Sequence, residues 1–467
     1  MDVYNWGTEL VTHPRKIKEV FHVQDIIDVV TDPDQFPSPV RALGSRHSPT
    51  KCIDADGGTV LDMRHLNFIN EPNEAELTIT VGSGAIYYDI AHFLQDRGFM
   101  LHVNTEIGNL TAGAAVMAQT KDASFPGEYG QVSSYVVGVK MVTAQGEILE
   151  IDDEHDPELM TFIRCSYGLL GIVYEVTFQI KPLRLMRLYH KVYTLDEFLD
   201  DLDDIRASDA SVMYYMLPFH GYVAVEYRSY AVIECSEDRV EKQPDVVNNK
   251  HLLRHGSDWQ FAIRNVYWAK IGPVLGSISM SIPRPLLGIY SSVTNLVLLK
   301  TLGVLAGYRI LPAEQIILYE EKPLRASQYT FSINTFSVGT FKEAMRDYFA
   351  FVRDYYERTG WRTSLLHVGY RVCQDTRSYL SYTADGESMS LDPVTNADGG
   401  WYPFLKDYNK FCMAHNGKPL MNQAPLLTHQ QVDMSFGPMI KEFNVHRKKM
   451  DPDNRFLNNY FRELFAL

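Results

Sequence analysis

Three runs of small residues, at 44–48, 108–115 and 168–173, constrain this chain more than any other feature. Each adjoins a segment with strand character. Backbone that lacks bulky side chains lets N–H groups come close to a phosphate or to a large flat ligand. The first run, Gly44-Ser45-Arg46-His47-Ser48-Pro49, follows an apolar strand predicted at 40–43. His47 places a nucleophilic imidazole beside whatever that turn holds. A surface turn that happens to contain a histidine is the plainer alternative. The order of the following segments decides between them.

The segments alternate between short strands and helices. Strands are predicted at 40–43 and 59–62, with Pro39 at the start of the first, where a missing N–H is tolerated. Residues 77–81 alternate with the period of a half-buried strand. A helix is predicted at 86–97, stopped by Gly98. Residues 136–143 and 146–151 read as strand–turn–strand, and 174–180 as a strand fed by the third small-residue run. No G-x-G-x-x-G opens a helix with an acidic residue about 20 positions on, so a Rossmann site is excluded.

Length and charge exclude other classes. At 467 residues the chain needs more than one core. A net charge of −14 argues against nucleic acid and against anionic membrane surfaces. Cys52, Cys165, Cys235, Cys373 and Cys412 are odd in number and form no C-x-x-C pair, which disfavours a disulfide framework or a structural zinc. No metal site is expected. The apolar stretch 293–308 contains Lys300 and is shorter than the ~20 residues of a membrane span, so it reads as a core or cap helix. No secretory leader is legible, and a cytoplasmic location is expected.

The ordered set of motifs resembles the FAD-binding domain of the vanillyl-alcohol-oxidase-type (PCMH-type) flavoproteins. Its likeness is greatest to the aldonolactone and alditol oxidase branch. The resemblance covers residues 14–182 and returns at His415-Asn416-Gly417-Lys418 and at Asp451-Pro452-Asp453-Asn454-Arg455-Phe456-Leu457-Asn458. It implies an α+β protein. A two-subdomain FAD-binding domain would span 1–182, an α+β substrate cap 183–410, and a segment returning to the flavin 411–467. It also implies FAD as cofactor, covalently bonded through His47. Ala42, Leu43, Gly44, Ser45, Arg46, His47 and Ser48 would wrap the pyrophosphate. Glu106, Thr111, Gly113 and Ala114 would line the isoalloxazine and diphosphate, and Gly171 and Ile172 the adenine end.

Two departures stand out. Ala118-Gln119-Thr120-Lys121-Asp122 replaces the family's T-G-T-H-G, putting a bulkier, charged loop near the flavin. Arg46 replaces the second glycine of G-x-G, either as a phosphate donor or as a solvent-facing side chain. For catalysis, residues 367–371 read as a strand with His367, Gly369 and Arg371 on one side. Gly369 falls where the family has a polyol-binding glutamate, and Arg371 on its arginine. Arg371 and Lys418 would offer positive charge near flavin N1, and His415 would contact the ring or serve as base. Glu320 and Glu321 point to opposite faces of a strand and are left out of the site.

In the middle region, Tyr214, Tyr215, Tyr222, Tyr227 and Tyr230 cluster on two predicted strands. A strand is predicted at 331–336, a helix at 342–358, a solvated acidic helix at 196–204 and a polar loop at 235–250. The expectation is an FAD-dependent oxidoreductase that removes hydride from a carbinol carbon of a small molecule, sugar-derived or a less polar specialised metabolite. Oxygen or another acceptor would reoxidise the flavin. A dehydrogenase with a non-oxygen acceptor and a degenerate flavin-binding scaffold are the alternatives.

Overall fold

The computed structural model describes residues 2–6, 10–230, 308–319, 329–396 and 399–467, with isolated positions between 275 and 300. The polar loop expected at 235–250, Glu320 and Glu321, and most of the apolar stretch at 293–308 lie outside these residues.

Parallel pairing builds the first layer. Thr59–Asp62 lies between Lys16–Glu19 and Val40–Leu43, parallel to both. The helix Val23–Thr31 buries Ile26, Val29 and Val30 against Val40 and Leu61 of this sheet. Apolar residues spaced three and four apart put that stripe on one helix face.

The second layer is a mostly antiparallel sheet in the order Thr78–Gly82, Ile172–Pro182, Val136–Val142, Ile148–Asp152. Phe99–Leu101 pairs the far end of Ile172–Pro182. Val176, Phe178 and Ile180 alternate inward and meet the helices Tyr87–Gln95, Ala112–Met117 and Pro157–Ile163. These elements agree with the sequence reading to within a few residues at their ends, where helix and strand termini fray.

The third layer is an eight-stranded sheet. Its order is Tyr308–Ile310, Met186–Thr194, Tyr222–Tyr230, Ser211–Leu217, His367–Val372, Ser388–Ser390, Asn334–Ser337, Lys418–Pro419. Alternation along Ser211–Leu217 sorts its faces. Val212, Tyr214 and Met216 pack under the helices Val338–Thr359 and Trp401–Ala414, while Met213, Tyr215 and Leu217 face the flavin-domain side with Ala123 and Leu366. The acidic segment at 196–204 forms two short helices, Leu195–Asp200 and Leu202–Ala207. Their Phe198, Leu199, Leu202 and Ile205 are buried in the same helix layer.

The strand expected at 331–336 is broken. Tyr329–Phe331 pairs Val394–Asn396, whereas Asn334–Ser337 pairs Ser388–Ser390 and Lys418–Pro419. Between them Ser332 N donates to Pro393 O and Ile333 N to Gln423 O, so neighbouring residues serve different partners.

The last helices, His429–Met450 and Asn459–Phe465, return to the N-terminal core through Phe436, Ile440, Phe443, Phe461 and Leu464. The segment before the final helix acts as a clamp. Arg455 donates Nε to Val30 O at 3.0 Å and Nη1 to Ser38 Oγ at 2.9 Å, and its carbonyl accepts from Val40 N at 2.8 Å. Asn458 donates to Asp54 O at 3.0 Å and Cys52 O at 3.2 Å, and its Oδ1 caps the final helix. Asp451 holds the turn by accepting from the Arg455 and Phe456 amides. Buried carbonyls find partners this way, and leaving them unpaired costs on the order of 1–3 kcal/mol each.

Candidate cofactor cleft and substrate chamber

The strand Val40–Leu43 delivers the turn at 44–48 to the wall of a deep cleft, which encloses about 1150 Å³ counted to its open mouth. Ala42, Leu43, Gly44, Ser45, Arg46, His47 and Ser48 all line it, facing Thr111, Gly113, Ala114 and Gly171. Gly44 is required by contact: a Cβ there would lie 2.2 Å from Thr111 Oγ1. Gly171 is required by packing, since its Cβ would lie 2.8 Å from the backbone oxygen of Val142. Arg46 adopts φ 62°, so a non-glycine residue holds the left-handed backbone that a glycine adopts freely. Ile172 is placed otherwise than expected. Its side chain is buried with Val142 and Val40, and Gly171 and Val173 line the cleft instead.

His47 stacks on Trp6 with ring centroids 5.1 Å apart and planes 22° from parallel. Trp6 is braced edge-on by Tyr329 at 5.3 Å. Burial, with the Arg46 charge beside it, pushes the His47 pKa down to about 4, so the imidazole is neutral at physiological pH. A neutral imidazole with a free lone pair is the nucleophilic form.

The cleft fits a dinucleotide bearing a pyrophosphate. Among the described residues, the amides of Ser45, His47 and Ser48 donate to no protein acceptor. Ser83 Oγ and Asn422 Oδ1, both buried in its wall, have no hydrogen-bond partner there either. Buried polar atoms left so are met by a ligand or water in the working protein.

A second space, about 1340 Å³ to its mouth, joins the cleft. Ile107, Leu110, Thr120, Phe331 and Gln423 border both. Its walls are mostly apolar, with Ile333, Leu366, Val368 and Val394 among them. Among the described residues, charge there is confined to Glu106, Lys121 and Asp392. Lys121 Nζ lies 3.4 Å from Asp392 Oδ2 and 3.3 Å from the centre of the Tyr370 ring, a cation–π contact. The Tyr370 hydroxyl donates to Glu106 Oε2 at 3.2 Å. Burial lowers the Lys121 pKa. It also raises that of Asp392 to about 6, against the opposing pull of Lys121. Ser390 Oγ donates to Asp392 Oδ2 at 3.0 Å and accepts from Tyr370 N at 3.1 Å.

The divergent loop at 118–122 thus builds the chamber. Lys121 bridges to Gln131, Val132 N donates to Thr120 O at 3.0 Å, and Asp122 N to Gly130 O at 3.0 Å. Extended backbone pinned this way sends Lys121 and Asp122 to opposite sides. Asp122 points away from the chamber into a buried network. It accepts from Arg228 Nη1 at 2.7 Å and Gln315 Nε2 at 3.2 Å, while Arg228 Nε donates to Glu226 and His190 Nε2 lies 2.9 Å from Glu226.

The three residues expected to act on the substrate do not line either space. Arg371 is paired with Glu387 through Nε at 3.0 Å and Nη2 at 3.2 Å. Lys418 Nζ is paired with Asp385, and His415 Nε2 lies 3.0 Å from Asp347 at the end of the helix Trp401–Ala414. The reason is the strand's orientation. His367, Gly369 and Arg371 do share a side, but Val368 and Tyr370, on the other side, are the ones lining the chamber. Gly369 cannot carry a side chain at all: a Cβ would lie 2.0 Å from the Tyr214 ring and 2.5 Å from Ser390 O. Lys121, Tyr370 and Asp392 were missed as a site. The one signal pointing to them was the charged departure at 121–122.

Comparison with known proteins agrees with this geometry. A family described as FAD binding domain matches residues 14–152, and D-arabinono-1,4-lactone oxidase matches residues 327–464. D-arabinono-1,4-lactone oxidase of Eremothecium gossypii is 25% identical over 219 residues, 46% of this chain and 41% of that one. L-gulonolactone oxidase of Bos taurus is 24% identical over 226 residues, 48% and 51% of the two chains. L-gulono-1,4-lactone dehydrogenase of Mycobacterium tuberculosis is 25% identical over 215 residues, 46% and 49%. The chain spans about half the length of these relatives, or less. A crystal structure of cholesterol oxidase from Brevibacterium sterolicum superposes with a TM-score of 0.72 at 16% identity, covering 99% of this chain and 96% of that one. The chain therefore carries an FAD-binding domain and has the α+β, PCMH-type fold. Among the described residues no helix is long and apolar enough to cross a membrane.

Proposed function

We propose that this FAD-binding protein oxidises a carbinol carbon of a small molecule whose body is largely apolar, with oxygen as acceptor. The observation that carries this reading is the chamber itself. It opens onto the cofactor cleft, is apolar over most of its wall, and gathers its charged groups around Lys121. FAD, when bound, supplies the two-electron acceptor for hydride leaving the carbinol C–H. Turn 44–48 holds the pyrophosphate through its amides, and His47, neutral and oriented by Trp6, forms the covalent bond to the flavin. Apolar walls exclude water from the reacting carbon and strengthen every electrostatic contact inside.

The lactone-oxidase relatives favour a sugar-derived substrate. Against it stands Gly369, whose place is filled by the Tyr214 ring, so no carboxylate can project there to hold a polyol. A non-oxygen acceptor is the second reading, because a dehydrogenase stands among the relatives beside the oxidases. Two measurements test the proposal. An anaerobic screen of neutral alcohols and aldonolactones, followed by bleaching of the flavin band, should pick out alcohols with apolar bodies. Peroxide release on admitting air should accompany turnover. Bleaching by aldonolactones alone would refute the apolar assignment, and turnover without peroxide would refute oxygen.

A further inference from the structure

Asp392 is the group in the chamber that the fold has aimed most tightly yet left incomplete. It is 2% exposed and lines the chamber. Its backbone is fixed on both sides, Asp392 N donating to Val368 O at 2.8 Å and Val368 N to Asp392 O at 2.9 Å. Oδ2 is satisfied by Ser390 and Lys121. The Ser390 hydroxyl already accepts from Tyr370 N, so its own proton is directed at the carboxylate. Oδ1 has no partner among the described residues. An unpaired buried carboxylate oxygen is costly, and a folded protein tolerates that cost where a ligand supplies the missing donor.

Resting on the function proposed above, we infer that Asp392 is the catalytic base: its Oδ1 accepts the hydrogen bond, and then the proton, of the substrate hydroxyl. In that step the O–H bond breaks and its electron pair becomes the second C–O bond of the product carbonyl. The proton goes to Asp392, and the C–H pair leaves with its hydrogen as hydride to the oxidant, FAD. Lys121 is a positioning residue here. Its ammonium, held over the Tyr370 ring, keeps the Asp392 carboxyl ionised near neutrality.

The titratable groups around Asp392 leave its assignment clear. Glu106 and Lys121 share the chamber, and Asp122 lies behind the loop. The Tyr370, Tyr214, Tyr348, Tyr382 and Tyr408 phenols and the Cys412 thiol lie within its electrostatic reach, all raised by burial and neutral below alkaline pH.

The test uses FAD-loaded enzyme with cyclohexanol and its hydroxyl-free counterpart methylcyclohexane as probes. Binding to the oxidised enzyme is read by tryptophan and flavin fluorescence, and reduction by anaerobic stopped flow. Wild-type enzyme should bind cyclohexanol more tightly than methylcyclohexane, and Asp392→Leu, which keeps the side-chain bulk but offers no hydrogen-bonding atom, should lose about tenfold or more of that preference. Reduction should slow by about 10²–10⁴-fold in Asp392→Asn, whose amide cannot take the proton. In the wild type, reduction should rise with pH and level off above about 6. Ser390→Ala keeps the carboxylate but removes its donor, and should move that inflection to higher pH. An unchanged hydroxyl preference in Asp392→Leu overturns the inference, whether or not cyclohexanol is turned over. Flavin reduction in Asp392→Asn at the wild-type rate with the wild-type pH profile overturns it equally. If FAD-loaded wild type binds cyclohexanol with the Asp392-dependent preference yet no alcohol bleaches it, the proposed reaction has failed while the Asp392 site stands.

Discussion

Replacing Lys121 by methionine tests the electrostatics of the chamber through stability alone. Methionine keeps most of the lysine volume and removes its charge. In the wild type, burial raises the Asp392 carboxyl from its ordinary 3.8 to about 6 even with Lys121 opposing it. Keeping that group ionised at neutral pH therefore already costs about 3 kcal/mol relative to the unfolded chain. Without Lys121 the carboxyl rises further, and folding instead takes up a proton. At about pH 7.5 that uptake costs about 5 kcal/mol, so the Asp392 carboxyl contributes up to about 2 kcal/mol against the variant, beside a pH-independent change from removing the buried ammonium itself. The sign follows from the raised folded-state pKa. The group's stability is fully present below the unfolded value of 3.8 and is lost as pH rises through the folded one. Near pH 5 the wild-type carboxyl is itself mostly protonated, and its contribution to the difference shrinks to about 0.1 kcal/mol. Urea unfolding of the flavin-free protein at both pH values is the assay. In an Asp392→Asn background the same Lys121→Met substitution should change stability equally at both pH values. A loss of equal size at both pH values would refute the reasoning, for it would mean that packing, not charge, sets the cost.

Two other substitutions probe the site from its edges. His47→Ala should still fold and take up FAD, but the colour should separate from the protein on acid precipitation, whereas the wild-type colour should stay with it. Colour that remains with the variant would place the attachment elsewhere. Gly369→Glu, which would insert the carboxylate that the family resemblance led one to expect at this position, should destabilise the protein by at least about 1–3 kcal/mol through overpacking against Tyr214. Its melting temperature should fall without any gain in aldonolactone oxidation.

Elements governed by local chemistry were legible in the sequence. The strands at 40–43 and 59–62 follow from the residue pattern of short stretches of chain, and Gly44 and Gly171 were visible as small-residue runs although the neighbours that require them, Thr111 and Val142, are distant in sequence. The active face of His367–Val372 was not legible. Residues on both of its sides are shielded, His367, Gly369 and Arg371 beneath the helices and Val368 and Tyr370 over the chamber, so period-two alternation gives no contrast to choose between them. The Lys121–Asp392 pair joins residues 271 positions apart, a contact no periodicity announces. His415-Asn416-Gly417-Lys418 matched a pattern in order but not in surroundings. The His415 and Lys418 side chains are already paired with Asp347 and Asp385.

The clamp made by Arg455 and Asn458 has a consequence for the order in which the molecule comes to life. Val40–Leu43 is an edge strand whose outer side is completed by the Arg455 carbonyl, and it carries the cleft-lining turn 44–48 at its tip. A ribosome makes that strand more than 400 residues before its support, which is complete only once residue 458 has emerged. Cofactor capture should wait for that segment, and a nascent chain stalled before position 451 should be colourless however long it waits.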